Sequence, residues 1–201
     1  SINRYLEEGK PEDLNTYKME DPVRLKVIVH VGPKGFQKVG HICFSYDNIV
    51  YSYGNYDSDS FRLNQTIGDG IFFTVPLEKY IPNMISAENN SIFEYGILTT
   101  PTQNEFIEKE IEKIRLNGYR WYTKIEKEDG YDHFSQYEMD YPSRLHYRTG
   151  AKLYKVKSGK FHIYWALGDN CASFTDLVLG TLGADVLSIR GIISPGTYLD
   201  W

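Results

Sequence analysis

Short β-branched and aromatic runs, each bounded by turn residues, constrain this chain more than any other feature. Arg24 to Val31 (RLKVIVHV) alternates and reads as a strand. Gly32-Pro33-Lys34-Gly35 then marks a turn or loop. Val39 to Tyr46 and Ile49 to Gly54 read as two further strands, joined through Asp47-Asn48 as a hairpin. Gly70 to Val75 (GIFFTV) is a short, wholly apolar strand. Ser91 to Thr100 is another, with Ile92, Tyr95, Ile97 and Leu98 as its apolar content. The chain carries 17 tyrosines, which argue first for β-richness and second for a binding groove.

Helical periodicity is rarer. Pro101-Thr102-Gln103-Asn104-Glu105 predicts a capping-box start with Thr102 as the cap. Phe106, Ile107, Ile111 and Ile114 then form one apolar face over 102–117, with Gly118 as the stop. Leu77 to Met84 reads as a helical turn. Gly168-Asp169-Asn170 supplies turn and cap residues for a second helix, whose stripe runs through Phe174, Leu177, Val178 and Leu182. Lys152 to Lys157 and Phe161 to Leu167 read as a hairpin turning at Ser158-Gly159. The expected class is α+β, an antiparallel sheet packed against helices. Residues 1–23 are polar and unpatterned, a lead-in or linker. Residues 24–201 form one domain, with an irregular insertion at about 119–150 that is rich in Tyr, Asp, His and Arg.

Composition excludes some functions. A net charge of -5 argues against a general nucleic-acid binder. No apolar run approaches a membrane span, so no stable membrane insertion is expected. No signal-peptide pattern opens the sequence. Two cysteines are too few for a disulfide framework and lack zinc-site spacing, so neither a metal nor a cofactor is expected.

Chemistry gathers at Asn170-Cys171-Ala172-Ser173-Phe174. A thiol in the first turn of a helix sees unpaired N–H groups and the positive end of the macrodipole. Both favour the nucleophilic thiolate. The bland alternative is a small buried hydrophobe. A cysteine nucleophile needs a histidine within reach and a third group to orient that imidazole. His41 opens a strand in Lys38-Val39-Gly40-His41-Ile42-Cys43-Phe44. If Ile42 and Phe44 face the core, alternation places His41 and Cys43 on the opposite face. His30 reads as a satisfied structural residue inside a buried strand. His133 and His146 fall in the irregular stretch, and His162, beside Ile163, is the rival base. Cys43 fits a structural thiol, although a Cys43–Cys171 disulfide is an alternative if Cys171 and His41 meet.

The order His41 then Cys171 resembles the circularly permuted papain-like thiol hydrolases, which include retinol-acyltransferase-like proteins. In the NlpC-type amidases and in papain the cysteine comes first. A closer similarity is to papain-like domains at the C-termini of bacterial polymorphic toxins, including Rhs-type proteins. It rests on Val39 to Phe44, Val50-Tyr51-Ser52-Tyr53-Gly54-Asn55-Tyr56, Gly68 to Phe73, Asn170-Cys171, and Ile193-Ser194-Pro195-Gly196. It covers roughly 25–100 and 160–200.

The resemblance implies a permuted papain-like fold, with the histidine strand before the cysteine helix. Cys171 and His41 are its expected catalytic residues. The third group is expected on the strand after the histidine, at Ser52, Tyr53 or Asn55, of which Tyr53 and Asn55 are the candidates to orient an imidazole. It further implies a secreted toxin or effector, delivered by a bacterial secretion system of the type VI kind. Its site of action would be the periplasm, its substrate a peptidoglycan peptide and its partner an immunity protein. Other readings of the same fold are a lipid acyl hydrolase or acyltransferase, a cytosolic protease or deamidase, and a papain-like binding module without activity.

Overall fold

The computed structural model describes residues 23–31, 41–127, 139–168 and 170–180. The elements run β1 (Leu25–Val31), β2 (His41–Tyr46), β3 (Ile49–Gly54), β4 (Ile67–Asp69) and β5 (Ile71–Pro76), then α1 (Leu77–Pro82) with a π turn at Asn83–Ala87. β6 (Ser91–Ile97), α2 (Pro101–Leu116), β7 (Gly118–Trp121) and the short α3 (Lys124–Lys127) follow. The last elements among the described residues are α4 (Tyr141–Thr149), β8 (Lys152–Val156), β9 (Ile163–Trp165) and α5 (Cys171–Leu179). The class is α+β, and every strand pairing among the described residues is antiparallel.

Seven strands form the main sheet in the order β6-β1-β2-β3-β5-β8-β7, and β4 pairs with β9 in a separate ribbon. Its centre is the β2–β3 hairpin. Asp47 and Asn48 both take positive φ (49° and 63°), which a two-residue hairpin turn requires to match the strand twist. That turn sets the pairing Phe44↔Tyr51.

The sheet is buried on both faces, so alternation divides each strand between two cores rather than between core and water. On one face, Val27, Ile42, Phe44 and Tyr53 pack under α2 and α5. The other face carries Ile28, Cys43, Val50 and Phe73, covered by Leu77 and Tyr80 of α1 and Leu145 of α4. Phe174 of α5 anchors the first core, stacked 4.9 Å from Tyr53 and edge-on to Phe161 at 5.5 Å. Burying such a ring contributes about 1.5–3 kcal/mol, and each well-placed aromatic pair adds about 0.5–1.5 kcal/mol.

Several expectations change. The cap of α2 is Thr100, not Thr102: its side chain accepts the Gln103 N–H, and Gln103 returns the bond to the Thr100 N–H. Pro101 at the first helical position suits its missing donor. Ile107, Ile111 and Ile114 are buried, but Phe106 lies half exposed, one position off the stripe. Gly118 does not end the helix; Asn117 caps it and Gly118 opens β7.

Lys152 to Leu167 is not a hairpin. β8 pairs with β5 and β7, whereas β9 crosses to β4. The stretch expected to be irregular supplies β7, α3 and α4. Residues 1–22, 32–40, 128–138, 169 and 181–201 lie outside the described residues, and with them the turn expected at Gly32-Pro33-Lys34-Gly35, Val39-Gly40, His133, Asp169, Leu182 and the motif at 193–196. No helix among the described residues is long and apolar enough to cross a membrane.

Candidate active site

Cys171 is the first residue of α5, and Asn170 fixes that start. Asn170 Oδ1 accepts the N–H groups of Ala172 and Ser173, while its Nδ2 donates to the Ala166 carbonyl. Ser173 returns the capping box by accepting the Asn170 N–H. Asn170 is fully buried, so its bonds fix where the helix begins.

The thiol sits where β2 and β3 part. Their pairing ends at Phe44↔Tyr51 among the described residues, although β3 continues against β5 as far as Gly54. Past that last rung the backbone N–H groups of Ile42, Cys171 and Ala172 all act on the Cys171 thiol in the direction that favours thiolate. Ile42 is the neighbour of His41 in β2, the strand against which α5 packs. Among the described residues no hydrogen bond joins Cys171 Sγ directly to the His41 ring.

His41 is held from the other side. Its Nε2 is hydrogen-bonded to Ser52 Oγ at 2.6 Å, and Ser52 Oγ lies 3.2 Å from Tyr56 OH. With Nε2 engaged, Nδ1 is the nitrogen left to serve a thiol. The ring also meets His30 edge-on, with centroids 5.2 Å apart.

A second polar group adjoins the first. His30 Nε2 lies 3.0 Å from Tyr80 OH and 3.8 Å from Cys43 Sγ. His30 is thus bonded through Nε2, while its buried Nδ1 has no partner among the described residues. Cys43 and Cys171 are both free thiols and both buried.

Burial governs the electrostatics. It pushes His41 down to about 4, and it holds His30 well below the usual histidine range with the nearby His41 adding to the effect. Burial pushes the Cys171 thiol up to about 12, against the pull of the three N–H groups. The helix start was expected to favour thiolate. Here desolvation outweighs the helix end, and burial favours the neutral form of both groups.

The other candidates lie elsewhere. Tyr53 belongs to the first core, where its hydroxyl donates to the Phe161 carbonyl at 2.9 Å. Asn55 donates from Nδ2 to the Gln65 carbonyl in the loop after β3. Ser52 is the residue of that strand which reaches His41. Tyr56, which sequence reasoning did not single out, completes the line. The rival base His162 is exposed and binds the Val156 carbonyl through Nδ1. His146 likewise uses Nδ1 on the Ala151 carbonyl.

Among the described residues, no group of three His, Cys, Asp or Glu side chains is placed to hold a metal ion. No protein-family model, curated protein or solved structure matches this chain.

Proposed function

We propose that this chain is a cysteine hydrolase in which Cys171 is the nucleophile, His41 the base and Ser52 the residue that positions the imidazole. The observation that carries this reading is that the helix opening at Cys171 packs on the strand that begins with His41, whose imidazole is already oriented by a third group, Ser52. As the thiol attacks a carbonyl, its proton passes to His41 Nδ1 and the S–C bond forms. Collapse breaks the C–N bond, and the same proton leaves with the amine. Water then attacks the thioester and gives a proton to His41 as the C–O bond forms; collapse breaks the C–S bond to release the acid, and His41 returns the proton to the sulfur. The N–H groups at the helix start stabilise the oxyanion.

The order of His41 and Cys171, with the antiparallel sheet behind them, supports a permuted papain-like architecture. On that resemblance, the substrate is a peptidoglycan peptide and the setting a secreted antibacterial effector acting in the periplasm, with an immunity protein as partner.

A peptidyl electrophile tests the chemistry. The expected result is one adduct at Cys171 by intact mass, absent in Cys171→Ala and about tenfold slower or more in His41→Ala. A Cys171 that resists peptidyl electrophiles but alkylates once unfolded would be a structural thiol, and the proposal would fail. Lysis on export but not on cytosolic expression supports the cell-wall substrate.

One observation favours a second reading, an acyl-ester or thioester substrate. Trp165 and Leu167, on the segment leading into Cys171, are 47% and 60% exposed, and Leu63 on the β4 loop is 72% exposed. Exposed apolar side chains on these segments suit contact with an acyl chain. Turnover of acyl thioesters without cleavage of cell-wall peptides would select it.

A further inference from the structure

The far end of the hairpin holds a second site. A cleft of about 440 Å³ opens between the second face of the sheet and α1, walled by Ile49, Pro76, Leu77 and Ile81. Its floor carries Lys26, only 3% exposed, whose Nζ lies 3.4 Å from Glu94 Oε1. Register explains the pair: Lys26 and Ile28 project to the same face of β1, and Glu94 stands opposite Ile28 on β6. Ser45, opposite Lys26 on β2, projects to that face too, and its buried hydroxyl has no partner among the described residues.

A buried ion pair is a weak device for stability, because desolvating two charges offsets most of their attraction. A mostly apolar cleft with a few converging charged groups is the usual form of a small-molecule site. The two charges at the floor are opposite and adjacent, so a ligand with one charge would oppose one of them. A zwitterion matches both when aligned head to tail. Asp47 at the rim is engaged by Arg24, while Glu78 is exposed and adds negative charge at the mouth. Simple carboxylates are therefore disfavoured, and an ammonium end is welcome. The aliphatic wall asks for an apolar side chain.

We propose that this cleft binds free apolar α-amino acids, the carboxylate on Lys26, the ammonium towards Glu94 and Glu78, and the side chain against Leu77 and Ile81. It is separate from the thiol, at the opposite end of β2, roughly 16 Å along the strand at about 3.3 Å per residue. It does not depend on the hydrolase reading.

Calorimetric titration of the full chain with L-leucine tests it, beside 4-methylvalerate, which lacks the amine, and isoamylamine, which lacks the carboxylate. The expected result is saturable leucine binding with a Kd of about 1 mM or tighter. Each analogue should bind about tenfold more weakly or worse, the loss of one charged hydrogen bond. Ile81→Trp, which fills the cleft, should abolish binding. Glu78→Gln, at an exposed position, should weaken leucine while tightening 4-methylvalerate, and it serves if the tryptophan variant does not fold. Absence of saturable binding at about tenfold above 1 mM, equal binding of the analogues, or an unchanged analogue preference in Glu78→Gln would overturn the proposal.

Discussion

His41 Nε2 and Ser52 Oγ lie 2.6 Å apart across the gap where β2 and β3 separate. The bond spans the strands at the point where their backbone pairing has ended, and it engages Nε2 of the imidazole. Ser52 in turn meets Tyr56 OH, so a hydroxyl line runs from His41 into the second core.

Ser52→Ala removes the hydroxyl that both neighbours use. The cost to stability is about 1–3 kcal/mol for a buried partner left unsatisfied. Reactivity carries the sharper signature. A freed imidazole samples other orientations, so labelling of Cys171 by a peptidyl electrophile should fall about tenfold or more. Ser52→Thr, which keeps the hydroxyl, should restore the rate. Equal slowing in both variants would show packing, not positioning, at this residue.

The two buried histidines set an acid limit on stability. His41 is pushed down to about 4 and His30 is also lowered, both chiefly by burial. The unfolded chain therefore binds protons first as pH falls. Their contribution is complete above the unfolded value of about 6.5 and is lost progressively as pH drops through the folded values. Urea midpoints should be flat from about pH 8 to 7 and should decline from about pH 6 towards 4. His41→Asn should shallow that decline. An identical slope in the variant would assign the acid sensitivity to other groups.

The sheet could be read from the sequence because its strands are short, β-branched and separated by turn residues; the Asp47-Asn48 hairpin is the clearest instance. The same hairpin also contained Ser52, the partner of His41. Pairing Phe44 with Tyr51 places residue 43 opposite 52, so Ser52 shares a face with His41 and Cys43, whereas Tyr53 falls on the other. Carrying the register two residues further separates those candidates. Tyr53 stood out by its side chain, but its ring is worth more stacked on Phe174. Burial of both faces was harder to see, because α4 lies in a polar stretch whose apolar side is small, chiefly Pro142 and Leu145. The state of the thiol was hidden for a different reason. Helix-end electrostatics follow from position in the sequence, while desolvation depends on which long-range elements close over the site.

Gly70 shows how tightly the segment leading to the thiol is held. Its N–H donates to the His162 carbonyl, and its carbonyl accepts the Val156 N–H. A Cβ there would stand 1.9 Å from the Phe161 carbonyl oxygen and 2.7 Å from Tyr53 OH. The first neighbour is backbone and cannot turn aside. Gly70→Ala should destabilise by about 3 kcal/mol or more. Thermal melts check this directly; a loss below about 1 kcal/mol would mean the 161–163 segment is free to move.

Asn170 separates two contributions to the thiol, the start of the helix and its charge. Asn170→Ala removes an acceptor for two N–H groups and a donor to Ala166 from a fully buried position. The expected cost is about 2 kcal/mol, at the upper end for an N-cap because the site is dry. Asn170→Asp keeps the acceptor and gains macrodipole stabilisation, so its cap is conserved. It loses the donor to Ala166 and places a negative charge beside Sγ. The thiol, already pushed up to about 12, should ionise still less readily. Stopped-flow alkylation of the two variants across pH decides between the contributions. If α5 merely carries the thiol, rates should track stability, with Asn170→Asp the closer to wild type. If local charge sets nucleophilicity, Asn170→Asp should be the more stable variant and the slower to label.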